Sequence, residues 1–230
     1  RAVNNADPDQ VAFQRDWDGL NRFCAHNAIP PPMARELRRY VLETKQNRAA
    51  DSRASIYAKL SPTLLQKAGS HINRSLMEFR CFARVRDVLN GDAFVIALTL
   101  GMTPKVFAPR DVIPNGRFYL ITQGSAKVRR EILGPGGYWG DDDVILDSPK
   151  LPLAVATTYL HVQAITRKDF QELRKAHPEA YKAMQRVVRW SAIRQLMLDN
   201  YREKRDQQIL TRVKNSKLGL EMISASATRQ

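Results

Sequence analysis

Gly134-Pro135-Gly136-Gly137-Tyr138-Trp139-Gly140-Asp141-Asp142-Asp143-Val144-Ile145-Leu146-Asp147 sets four glycines, an aromatic pair and three consecutive carboxylates side by side. Glycine permits backbone angles that other residues resist, so the stretch predicts an exposed turn that re-enters a packed element. Turns of that kind hold ligands.

Short β-like runs surround it: Lys105-Val106-Phe107, Arg117 to Ile121, Ala126-Lys127-Val128 and His161 to Ile165. Each is closed by Gly, Pro or Asn, which favours a compact antiparallel barrel or jelly roll over a parallel sheet. The order Leu133-Gly134, Trp139-Gly140-Asp141, Thr158-Tyr159, Lys168-Asp169-Phe170 and His177-Pro178-Glu179 resembles the cyclic-nucleotide-binding fold. In that family a Phe-Gly-Glu turn opens the phosphate-binding cassette.

The chain of 230 residues has room for one large domain or two small ones. No apolar run approaches the ~20 residues of a membrane span; the longest, Ala93 to Met102, contains Thr99 and Gly101. With Arg1 first and no signal-peptide pattern, the chain reads as a segment of a longer protein. Its 37 basic and 23 acidic residues give a net charge of +14, which permits attraction to anionic lipid, nucleic acid or an acidic partner. Scattered charge equally describes a solvated basic surface. Cys24 and Cys81 offer no zinc spacing and fit a reducing compartment.

From Asp9 to Asn27, Val11, Phe13, Trp17, Leu20, Phe23 and Cys24 recur at helical steps, and Ile29-Pro30-Pro31-Pro32 ends the helix. A second helix is predicted from about Pro32 to Gln46. A short helix is expected from Asp51 or Ser52 to Leu60. Ser61-Pro62 then looks like an N-cap and first helical position, with helix through Ala68 and again from Ser70 to Phe79. Another helix is predicted from about Ala93, stopped near Gly101.

Leu20-Asn21-Arg22-Phe23, His26, Ile29-Pro30-Pro31 and Leu37-Arg38-Arg39-Tyr40, followed by Leu60-Ser61-Pro62 and Leu64-Leu65, resemble a specific module. It is the C-linker of hyperpolarisation-activated, cyclic-nucleotide-gated and ether-à-go-go-type channels. The resemblance covers about residues 9 to 200. It implies an α+β chain: a helical C-linker over 9–80, then an antiparallel β jelly roll flanked by helices over 81–200. A basic, partly disordered tail follows over 201–230. Pro109-Arg110-Asp111 is similar to the family's Pro-Gly-Asp turn, with Arg110 where Gly is usual, and the region before Gly124 implies a trimmed hairpin. Pro178 opens a long helix whose apolar stripe, from Met184 through Trp190 to Leu198, implies packing on the barrel as the family's lid.

The resemblance makes Trp139, Gly140, Asp141 and Lys150 the residues of a degenerate nucleotide pocket. Family members that bind ligand use an arginine after the cassette, whereas here the only cation between Asp147 and Tyr159 is Lys150. Lysine supplies a point charge without the planar fork of guanidinium. Asp141, Asp142 and Asp143 would repel a phosphate. The expectation is therefore no cofactor, with cAMP or cGMP as the alternative. Trp190, Leu196, Tyr201 or the island Leu218 to Ile223 are candidates for a plug made by the protein itself.

An enzyme is disfavoured: His26, His71, His161 and His177 lie in separate elements, and neither a P-loop nor a nucleophile elbow occurs. A catabolite-activator-like DNA-binding regulator is the rival class, but residues 200–230 are too few and polar for its helix-turn-helix. Arg129-Arg130-Glu131-Ile132 falls inside the barrel and makes no kinase-inhibitory segment. The resemblance implies the cytoplasmic gating region of a tetrameric cation channel, with potassium favoured, on the cytoplasmic side of a membrane as part of a larger integral membrane protein. Its expected partners are itself, as a homotetramer through the linker helices near Trp17, Phe23 and Tyr40, the pore domain of the same chain, and anionic lipid. Nucleic acid is not expected.

Overall fold

The structure is a computed structural model that describes residues 8–45, 47, 56–57, 59–72, 74–146 and 153–227; side chains are described within 10–212, apart from that of Arg80. Contacts divide the chain into two units, residues 1–185 and 186–230.

The first unit opens with helix α1 (Pro8–His26) and helix α2 (Pro31–Glu43). Pro30 and Pro31 lack amide donors and fix the entry to α2, which explains why the break falls there. Cys24 and Ala34 are the buried residues of this helical pair among its described side chains. The Arg38 guanidinium donates to Asn21 Oδ1 at 2.9 Å across it. The short helix expected before Leu60 falls largely outside the described residues. Helices α3 (Pro62–Ile72), α4 (Arg74–Met77), α5 (Arg80–Arg86) and α6 (Gly91–Gly101) follow.

Among the described residues, eight strands come next: β1 (Thr103–Phe107), β2 (Val112–Ile113), β3 (Arg117–Gln123), β4 (Ala126–Val128), β5 (Glu131–Leu133), β6 (Tyr138–Trp139), β7 (Ala154–Ala156) and β8 (Leu160–Thr166). Helix α7 (Asp141–Leu146) lies between β6 and β7. All pairings are antiparallel, in two four-stranded sheets ordered β1-β8-β3-β6 and β2-β7-β4-β5. Helix α8 (Arg167–Ala176) and helix α9 (Pro178–Ala227) complete the chain. The protein is thus α+β, with helices and two antiparallel sheets.

Alternation along β3 builds two cores. Tyr119 and Ile121 join Ile113, Ala126, Leu160 and Val162 in the cluster formed by both sheets. Phe118, on the opposite face, meets Phe170 of α8 edge-on at 6.4 Å, and Phe170 in turn meets Phe94 of α6 and Tyr181 of α9. A strand buried on both faces reads as a continuous apolar run, which is how Phe118 to Ile121 stands in the sequence. Thr166 caps α8 by accepting from the Asp169 amide and donating to its carboxylate at 2.6 Å, a reciprocal cap that fixes the turn out of β8.

Helix α5 and strands β2, β5, β6 and β7 were not anticipated. The strands hold two or three residues each, too few for alternation to register. The region before Gly124, where a trimmed hairpin was expected, holds the two-residue β2 and the seven-residue β3, and the β4–β5 hairpin, with Arg129-Arg130 at its turn, follows it. In α9 the helix continues to Ala227, through the stretch where partial disorder was expected. Of its predicted stripe, Met184 and Val188 are buried, whereas Trp190, Ile193, Leu196 and Met197 are exposed.

Candidate functional site

The glycine-rich turn leaves β5 and closes on its neighbours through the backbone. The Gly136 amide donates to Ile121 O at 2.9 Å and the Ile121 amide to Gly137 O at 2.8 Å, so the turn is stitched to the end of β3. Trp139 then pairs with Tyr119 and stacks on its ring, centroids 5.0 Å apart and planes 19° apart. Both rings are buried and the Tyr119 hydroxyl donates to Pro114 O at 2.7 Å, so the stack is a satisfied part of the interior. Such a stack contributes about 1 kcal/mol beyond the area it buries.

Gly140 has φ +78°, and a Cβ there would stand 2.1 Å from Arg117 O. Only glycine fits, because both the backbone angle and the approach of β3 exclude a side chain. The positive φ turns the chain sharply from β6 into α7, whose first bond runs from the Val144 amide to Gly140 O at 3.0 Å.

The three carboxylates of α7 go to different places. Asp142 receives the Arg129 guanidinium at 2.8 Å, from the β4–β5 turn. Asp143, buried, accepts from the Gly116 amide at 2.8 Å and from Arg167 Nη2 at 3.0 Å, while Arg167 also donates to the Asp143 carbonyl. Asp141 is half-buried, and burial first and the Asp142 charge second push its carboxyl up to about 6. Close by, burial pushes the Cys81 thiol up to about 12, with the Asp141 charge adding to the effect.

Of the four predicted pocket residues, Trp139, Gly140 and Asp141 are consecutive at the β6–α7 junction, with Trp139 in the core and Gly140 at a backbone crossing. Lys150 lies outside the described residues. Of the three aspartates expected to repel a phosphate, Asp142 is engaged by Arg129 and Asp143 by Arg167, two cations that nothing in the sequence connects with them, while Asp141 still feels the Asp142 charge. Their distances along the chain, 13 and 24 residues, gave no local signal. Among the described residues, no three His, Cys, Asp or Glu side chains are grouped to hold a metal ion. No helix among them is long and apolar enough to cross a membrane. The proposed plug residues Trp190, Leu196 and Tyr201 are exposed, and the side chains of 218–223 lie outside the described ones.

A second set of contacts joins α2 to β1, β8 and the turn before β8. His161 Nε2 lies 2.9 Å from Glu43 Oε2, the Tyr40 hydroxyl reaches Val106 O at 3.4 Å, and the Arg39 guanidinium stands over the Tyr159 ring at 4.8 Å. Tyr40, expected at a subunit contact, touches its own β1. No family model matches the chain, and no curated protein sequence matches it.

Proposed function

We propose that the chain is a helical C-linker followed by a cyclic-nucleotide-binding homology domain, the cytoplasmic gating and assembly region of a tetrameric cation channel, with potassium the favoured ion. The observation that carries this is the pair of sheet orders, β1-β8-β3-β6 and β2-β7-β4-β5, with helix α7 between β6 and β7 and a run of helices ahead of them. Those orders are compatible with a jelly roll, and a helix that follows the glycine-rich turn supports reading α7 as the cassette. The α2 contacts with β1 and β8 support a mechanical role, since a shift of the barrel is carried directly to the second linker helix.

The domain acts as a fixed bias on gating, without cyclic-nucleotide control. A ligand shifts a conformational equilibrium only by its differential affinity for the two states, and a phosphodiester needs donors and a cation to leave water. Here Arg129 is engaged by Asp142, Arg167 by Asp143, and the Tyr119–Trp139 stack fills the interior beside the cassette. Calorimetric titration of the purified chain with cAMP and cGMP tests the reading: no saturable heat is expected at micromolar ligand, and a saturable isotherm overturns it.

The alternative, a true cAMP or cGMP binder, draws support from Arg129, a guanidinium beside α7 that would meet the phosphate if Asp142 released it. In that case Arg129→Ala abolishes the heat. Assembly as a homotetramer through α1 and α2 is tested by light scattering, with exposed Phe23→Ser expected to lower the mass.

A further inference from the structure

Beyond Gln185, α9 carries a surface that the gating reading leaves unused. At 100° per residue, Trp190, Ile193, Met197 and Tyr201 fall within about 80° of arc. All four are exposed, Trp190 and Met197 by 67% and Tyr201 by 68%. Arg186, Arg194, Lys204 and Arg212 are exposed too and project within about 40° of the Trp190 direction. The three carboxylates of the same stretch, Asp199, Glu203 and Asp206, project about 140° to 180° away from it.

Cations flanking an aromatic stripe, with every carboxylate turned aside, have no use in bulk water. Exposed charges interact weakly there, and a lone apolar stripe on a helix only exposes its surface. An anionic phospholipid leaflet matches both features at once. Trp and Tyr favour headgroup depth, where the ring is apolar and its polar edge stays wet, and each cation near the surface gains from the negative potential. A coiled-coil partner fits less well. The stripe stops at Tyr201, where Lys204 and Gln208 take over, so no apolar seam continues along that face; the exposed Leu196, Ile209 and Leu210 project about 100° to 160° away from it.

We propose that residues 186–212 form an interfacial helix that docks on an anionic phospholipid leaflet through Trp190, Ile193, Met197 and Tyr201, with Arg186, Arg194, Lys204 and Arg212 over the headgroups. The docking is independent of whether the barrel takes a nucleotide. It supplies a second attachment to a membrane surface, sensitive to salt and to lipid charge.

The test is cosedimentation of the purified 230-residue chain with vesicles of phosphatidylcholine alone or with about 30% phosphatidylserine. Binding is expected only to the anionic vesicles, and it should vanish near 1 M salt, to order of magnitude. Arg194→Gln with Lys204→Gln should weaken it roughly 25-fold, about five-fold per cation. Trp190→Ser with Met197→Ser should weaken it by at least about ten-fold, both sites being exposed so that circular dichroism stays unchanged. Lys67→Gln with Arg84→Gln, outside the helix, should leave it intact. Equal binding to both vesicles overturns the proposal, as does wild-type binding by either helix variant, which would assign the attraction to the scattered net charge. Failure to bind anionic vesicles overturns it too. Self-association abolished by Trp190→Ser with Met197→Ser would then assign the stripe to a second copy of the chain.

Discussion

Glu43 Oε2 lies 2.9 Å from His161 Nε2, which ties the last turn of α2 to strand β8 across 118 residues of sequence. Both side chains are largely shielded, at 26% and 10% exposure, so the contact is better protected from solvent than the surface ion pairs around it. A double-mutant cycle with Glu43→Gln and His161→Gln should give a coupling of about 1 kcal/mol. Hydrogen exchange in α2 should rise in either single variant while β3 stays protected. A zero coupling would leave the Tyr40 and Arg39 contacts to hold the helix.

Asp143 pins helix α7, joining it to the β2–β3 turn through Gly116 and to α8 through Arg167. Truncation removes the carboxylate that accepts from the Gly116 amide and from Arg167 Nη2 while the Arg167 bond to the backbone carbonyl of residue 143 stays, so Asp143→Ala should cost about 1 to 3 kcal/mol in urea unfolding. Arg167→Ala should cost less, because its side chain is 40% exposed, and the double variant should cost less than the sum. Additive losses would show that the two residues act separately.

Asp141 makes stability depend on pH with a definite sign. Its carboxyl is raised from 3.8 to about 6, chiefly by burial and then by Asp142, so the folded state holds the proton more tightly than the unfolded one. The resulting penalty is absent below about pH 4, grows between about pH 4 and 6 and is complete above that. Asp141→Asn should therefore stabilise the chain at about pH 8, by about 1 to 3 kcal/mol, and change little near pH 4. Equal shifts in the urea midpoint at both pH values would contradict this.

Arg110 has φ +76°, a conformation glycine adopts freely and arginine does not. Arg110→Gly should raise stability by about 1 kcal/mol, since relief of the backbone strain outweighs the added freedom of the unfolded chain. Gly124, at φ +86°, gives the opposite case: a Cβ would stand 2.1 Å from Tyr159 O. Gly124→Ala should cost about 2 kcal/mol or more. Thermal unfolding of both variants measures the pair of signs.

Cys81 is 3% exposed and its thiol is pushed up to about 12, so it is neither accessible nor ionised near neutral pH. A disulfide-exchange reagent should modify it in the native protein only at the rate of unfolding, and Asp143→Ala should accelerate the reaction in proportion to its loss of stability. Fast labelling of native protein would show that the surroundings of Cys81 open locally.

The sequence by itself determined the helices of the opening hairpin, because two amphipathic periods broken by Ile29-Pro30-Pro31-Pro32 leave little else for the backbone to do. It also determined β1, β3 and β8, whose apolar runs are long enough to declare themselves, and the turn at Gly140, where glycine alone fits the angle. Tertiary structure alone decided what the site is made of. Arg129, Arg167 and Gly116 meet the α7 carboxylates only once the two sheets close, and His161 meets Glu43 only once α2 lies against β8. Local patterns encode which face of an element avoids water, but a charged group's partner is chosen by distance in space. For the α7 pairs that distance depends on strands too short to be read from the chain, and for Glu43 and His161 it depends on how two legible elements pack, which no local pattern encodes.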